Sequence, residues 1–115
     1  MIFAIFCTDR PGTGELRRRT RPIHRDWLHS PHAKVKLLMS GATLEPDGKT
    51  MNGSLVIVSA ESLADVEAFN AKDPYRLAGL FEHWEIRPWD WTFGNPAGTP
   101  SINPFRPGDP HAQPQ

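Results

Sequence analysis

Apolar positions recur along the chain with two periods, near two residues in some stretches and near 3.6 in others, and the switching between them lays out the elements. Residues Ile2–Thr8 form a short apolar run closed by the turn formers Asp9, Pro11, Gly12 and Gly14, which predicts a strand. Both of its faces are apolar, Ile2, Ala4 and Phe6 on one and Phe3, Ile5 and Cys7 on the other, so it belongs inside a sheet covered on both sides. From Gly14 to Ser30 the period turns helical, with Leu16, Ile23 and Trp27, and Thr20 as a weaker member, on the apolar side and Arg17, Arg18, Arg21, Arg25 and Asp26 filling the rest. Pro22 either kinks one long helix or lies in the first turn of a second one capped by Thr20. In both cases His24 falls one turn after Thr20 and beside Ile23 and Trp27, near the apolar side.

Pro31 ends this helix, and Lys34–Leu44 reads as a second strand in which Gly41 marks a bulge or a close backbone approach. Asp47-Gly48 is a hairpin signal, and the third strand follows over Gly53–Ser59, with Leu55 and Ile57 on one face and Val56 and Val58 on the other. Ser62 caps a helix that buries Leu63, Val66 and Phe69 and ends near Lys72. Asp73 precedes a proline, which pushes it off helical geometry and suits it to cap a short helix with Pro74 at the first position. Leu77, Ala78 and Leu80 supply that segment's apolar side, and Gly79 ends it. A last strand runs over Phe81–Trp89, with Trp91 and Phe93 continuing it as an edge or arm.

The order βαββαβ predicts an α+β, ferredoxin-like sandwich: one four-stranded antiparallel sheet with its helices on one face. The first and third strands are apolar on both sides, so the open face needs a cover as well. A second copy packed sheet to sheet would supply it, making a homodimer with a shared interior; the alternative cover is the Trp-rich end of the chain folding back.

Composition narrows the function classes. The 115 residues suit one domain with one core. The domain is expected over residues 1–93, because residues 94–115 hold six of the twelve prolines and read as an extended or disordered tail. Thirteen basic and thirteen acidic residues balance, which argues against a nucleic-acid partner held through its phosphates. The basic run Arg17-Arg18-Arg19, with Arg21, reads as the solvated face of a helix. A lone cysteine, Cys7, excludes an internal disulfide and reads as inert core in a reducing compartment. With a strand starting at Ile2 and no apolar run of membrane-spanning length, a cytoplasmic protein without a membrane partner is expected. There is no phosphate-cradling glycine loop, and His29 and His32 lack companion ligands, so neither a nucleotide, a metal nor another cofactor is expected.

Two residues carry candidate chemistry. Histidine titrates near neutral pH and can take and return a proton, and a carboxylate on a rigid turn can fix its tautomer. His24 and Asp73 are suited to these roles, although each alone has a plain structural reading as a packed histidine and a helix cap. Ser40 and Tyr75 offer hydroxyls to a pocket, and Arg10, at the end of the first strand, could hold a substrate carboxylate.

The opening strand, Arg21-Pro22-Ile23-His24, Leu38–Gly41, Gly53-Ser54-Leu55 and the cluster Asp73-Pro74-Tyr75 with Ala78-Gly79 resemble the YciI-like (YCII-related) family over roughly residues 1 to 90. The resemblance implies a dimeric α+β barrel and an active site made of the motif histidine and aspartate, here His24 and Asp73. It also implies a likeness in fold to muconolactone isomerases and a chloromuconolactone dehalogenase. Met39-Ser40, where small residues are expected before the glycine, and the proline-rich extension depart from the family pattern. The resulting expectation is a cofactor-independent isomerase, lyase or dehalogenase that moves a proton on a small organic acid or lactone. Its rival is a non-catalytic dimeric module that binds a small ligand or serves a partner.

Overall fold

A computed structural model describes residues 1–96. Its elements are β1 (Ile2–Asp9), α1 (Gly14–His29), β2 (Val35–Leu44), β3 (Met51–Ala60), α2 (Leu63–Ala71), α3 (Pro74–Leu77) and β4 (Phe81–Pro88). The four strands make one antiparallel sheet in the order β2-β3-β1-β4, so the α+β, ferredoxin-like expectation holds for the single chain. Most of residues 94–115, expected as a tail, lies outside the described residues.

Strand alternation decides what faces the helices. Phe3, Ile5 and Cys7 of β1 pair with Val58, Val56 and Ser54 of β3. The apolar members of this set join Val66, Phe69, Tyr75, Leu80 and Phe81 in one buried cluster. On the sheet's other face Ala4 pairs with Ile57 and Phe6 with Leu55. Ala4 and Ile57 are buried there, but Phe6 and Met39 are each 43% exposed. Trp91 and Phe93 do not prolong β4, which ends at Pro88; Trp89 N–H donates to the Ile2 carbonyl just beyond it.

α1 is one continuous helix with Pro22 inside it, which settles the choice left open by the sequence. Its inward face differs from the expected one. Ile23 is 61% exposed, and the buried residues are Arg17, Thr20 and His24, flanked by half-buried Leu16 and Trp27 that pack on the core. The helix thus turns a largely polar stripe inward, and that stripe is where the site forms. Leu63 and Leu77 are likewise exposed, and Asn70 and Tyr75 take the inward positions on α2 and α3.

Bulges do the fine aiming. Between Leu37 and Met39 the β2 register slips by one residue. Val35 and Leu37 face the helices before it; after it Ser40 and Ala42 do, opposite Val56 and Ser54. Gly41 is not the close approach the sequence suggested, since an added Cβ would meet nothing within 4 Å. Gly53 is: a Cβ there would collide with the Cys7 carbonyl oxygen and the Thr43 hydroxyl.

Candidate active site

The site is built around the turn that joins α2 to α3. Asp73 adopts non-helical geometry before Pro74, and its Oδ1 accepts a hydrogen bond from Tyr75 N–H at 2.9 Å, capping α3. This cap sets Tyr75, whose ring stacks on the His24 imidazole with centroids 4.0 Å apart and planes 20° from parallel. The other carboxylate oxygen, Oδ2, lies 3.4 Å from His24 Nε2. Both side chains are almost wholly buried. The contact is at the outer edge of hydrogen-bond distance, and Nε2 has no aligned hydrogen-bond partner. One short turn therefore holds the acid and, through Tyr75, the plane of the imidazole.

A second buried pair lies beside the first. Arg17 Nε and Nη2 donate to Asp9 Oδ2 and Oδ1 at 2.6 and 2.9 Å, and Nη2 also donates to Ser54 Oγ at 2.9 Å. The guanidinium lies 4.5 Å from the centre of the Tyr75 ring. Burial works against the Arg17 cation, but the hydrogen bonds and charge of Asp9 outweigh it and hold the group above its ordinary range. Asp9 stands next to a register shift between β1 and β4, the kind of irregularity that re-aims a side chain. The solvated-face reading of the basic run is thus corrected at Arg17, while Arg18 stays on the surface and pairs with Glu15.

Arg17, His24, Ser54 and Tyr75 border a cleft of about 280 Å³ between α1, α3 and the β2–β3 hairpin. Arg17, Arg21, His24 and Arg25 come from α1, Ser40 from β2, Ser54 from β3 and Tyr75 from α3. Burial raises the Tyr75 phenol above its usual range, and the positive charges of Arg17 and Arg21 act in the opposite direction. Of the residues singled out by sequence, His24, Ser40 and Tyr75 line the cleft, and Asp73 stands behind His24. Arg10 does not line it; its Nε donates to the Gly79 carbonyl and steadies the end of α3 instead.

Arg17, Asp9 and Ser54 were missed by sequence reasoning. The signal that could have found them is the helical spacing of Arg17, Thr20, His24 and Trp27, which places the first arginine of the run on the histidine's face. Cys7 lies near this polar layer, its thiol pushed up to about 12 by burial and then by the negative charges of Asp73 and Asp9. Two wider clefts, of about 540 and 520 Å³, share His32, Lys34 and Asp65 and contain no buried acid–base pair. No group of three metal-binding side chains forms among the described residues, and none of their helices is long and apolar enough to cross a membrane.

The YCII-related domain model matches residues 1–90, a span that contains every residue of the site. The chain belongs to the YCII-related family. It is 32% identical over 98 residues to Protein YciI of Escherichia coli O6:H1, covering 81% of this chain and all of the relative. It is 31% identical, over the same extents, to an uncharacterized protein of Haemophilus influenzae. Among solved structures it resembles the 5-chloro-2-hydroxyhydroquinone dehydrochlorinase TftG of Burkholderia phenoliruptrix, in complex with 2,5-dihydroxybenzoquinone. That likeness has a TM-score of 0.67 at 35% identity and covers 77% of this chain and 93% of the other.

Proposed function

We propose that the chain is an enzyme that starts an elimination or isomerisation by removing a proton from a small, oxygen-rich organic molecule, with His24 as the base. What carries the reading is the buried His24–Asp73 contact at the wall of a cleft. A histidine and a carboxylate this close and this dry are suited to proton transfer, because the carboxylate can orient the imidazole that takes and returns the proton. The dehydrochlorinase activity of the solved neighbour supports the reaction class, and its bound quinone supports a flat, oxygenated substrate.

In this scheme Nε2–H points to Asp73 Oδ2, which leaves Nδ1 to accept the substrate proton. The electron pair of the broken C–H bond moves into the substrate as an enolate or a new double bond. Either a leaving group such as chloride then departs with its bonding electrons, or the imidazolium returns the proton to another carbon. Protonation adds charge attraction to the 3.4 Å contact and draws it towards a full hydrogen bond. Ser40 and Tyr75 offer hydroxyls to the developing oxyanion. No step of this sequence needs a redox group or a metal.

We further propose that two copies associate through the open sheet face, burying Phe6 and Met39. Sedimentation of the wild type against Phe6→Lys tests this; a wild-type monomer would overturn it.

The function is tested by assaying halogenated hydroquinones and small unsaturated lactones for chloride release and absorbance change. Loss of His24 as a base should cost about 100-fold or more in turnover. Full turnover by a folded His24→Gln variant would overturn the assignment.

A further inference from the structure

The charges on α1 are arranged at odds with its own stability. Arg17, Arg21 and Arg25 follow one another at four-residue spacing and all border the cleft. Like charges at that spacing repel, and the usual remedy is an acid three or four residues away, as Glu15 provides for Arg18. Arg21 and Arg25 have no such remedy: the residues three and four away are Arg17, Arg18, His24 and Arg25 for the first and Arg21, Pro22, Leu28 and His29 for the second. Among the described residues no carboxylate lies within ion-pair distance of either, and none lines the cleft. The chain as a whole carries balanced charge, so the imbalance is local to this site.

Of the three, Arg17 is already spoken for. Its charge is met by Asp9, and its donors are shared between Asp9 and Ser54. Arg10, the residue that sequence offered for a substrate carboxylate, is held by the Gly79 carbonyl outside the cleft. The free cations facing the cleft are therefore Arg21 and Arg25. We propose that these two select substrates bearing a carboxylate, or a comparably ionised oxygen, away from the carbon that His24 deprotonates. The inference rests on the reading of this cleft as the active site and adds the class of molecule it accepts. A planar guanidinium fork matches a carboxylate in two-point geometry, so it orients the molecule as well as attracting it. Anchored at the arginine wall, the substrate presents its far end to the imidazole.

The test is binding, which needs no turnover. The full-length protein is titrated with benzoate, with benzene-1,3-dicarboxylate and with neutral benzyl alcohol, following backbone amide shifts of Ser40, Ser54 and Tyr75. The carboxylates should bind in preference to the alcohol and weaken as salt is raised. The R21Q/R25Q double variant should bind them about tenfold more weakly, with a flatter salt response, as expected for exposed charges. Arg25→Lys should fall between, because it keeps the charge and loses the fork. The double variant should melt no lower than the wild type, since it also removes the repulsion. Unchanged carboxylate affinity in the double variant, equal binding of the neutral probe, shifts confined to the clefts around His32, or no saturable binding would each overturn the proposal. A folded His24→Gln variant with full turnover would instead overturn the assignment of His24, whatever the arginines do.

Discussion

Asp73 reaches His24 Nε2 with the carboxylate oxygen that its helix-capping role leaves free. The helix cap and the proposed pairing with the imidazole thus use different oxygens of one carboxylate, and two substitutions separate them. Asp73→Asn keeps an oxygen to accept Tyr75 N–H and loses the negative charge. It should fold with a melting temperature near that of the wild type, while turnover falls because the imidazole loses the partner that fixes its tautomer. Asp73→Ala loses the cap as well and should cost about 1 kcal/mol or more in stability. Urea denaturation and turnover measured on the same two proteins decide this. An asparagine variant as active as the wild type would remove the carboxylate from the mechanism.

Arg17 and Asp9 form a buried ion pair with side chains only 5% and 6% exposed. Removing one partner strands the other charge. Arg17→Met should therefore destabilise the fold by about 3–5 kcal/mol, and Asp9→Asn added to it should recover part of that loss. A double-mutant cycle by chemical denaturation measures the coupling. Additive losses with no recovery would mean that the pair is not coupled as its geometry indicates.

These two relationships also show what was legible beforehand and what was not. The Asp73-Pro74 cap is a local rule, dictated by the steric effect of proline on its predecessor and by the orphan N–H groups of a helix start. The strand faces followed from alternation in β1 and β3 in the same way. The approach of His24 to Asp73 spans two elements far apart in sequence, and no local pattern encodes it; the family resemblance pointed to it. Arg17 was misread because three consecutive arginines look solvated, and only the acid at the end of β1 shows that one of them turns inward. Ile23 and Leu77 were misread by the converse assumption, that apolar residues on a helix must be the inward ones. Around a polar site that assumption fails, since Thr20, His24 and Tyr75 occupy the space an apolar face would fill.

At the β2–β3 hairpin, Asp47 accepts hydrogen bonds from the Thr50 hydroxyl and from the Thr50 and Lys49 N–H groups. The Thr50 hydroxyl leads these in holding the carboxyl below its ordinary value. A depressed folded value means that the loop's contribution is present above the ordinary aspartate range and is lost as pH falls through the depressed value. Amide shifts of Lys49 and Thr50 should therefore titrate together in acid. Thr50→Val should move that titration upward, and an unmoved midpoint would show that the hydroxyl does not hold the carboxylate.

Cys7 gives the alkaline counterpart. Its thiol is raised from 9.0 to about 12, by burial first and by Asp73 and Asp9 next. Here the folded value lies above the unfolded one, so the stabilising contribution is complete below 9.0 and is lost as pH rises towards about 12. The native thiol should resist a disulfide reagent at about pH 8 and react only through the small open fraction, because attack requires the thiolate and access to it. Labelling should thus follow the opening equilibrium: adding denaturant below the midpoint should accelerate it in proportion to the unfolded fraction. Cys7→Ala should flatten the alkaline limb of the stability curve while leaving turnover nearly unchanged, since the thiol stands in the core and does not line the cleft. Rapid stoichiometric labelling of the native protein at neutral pH would contradict the burial of the thiol, and with it the packing of the layer beneath Asp73.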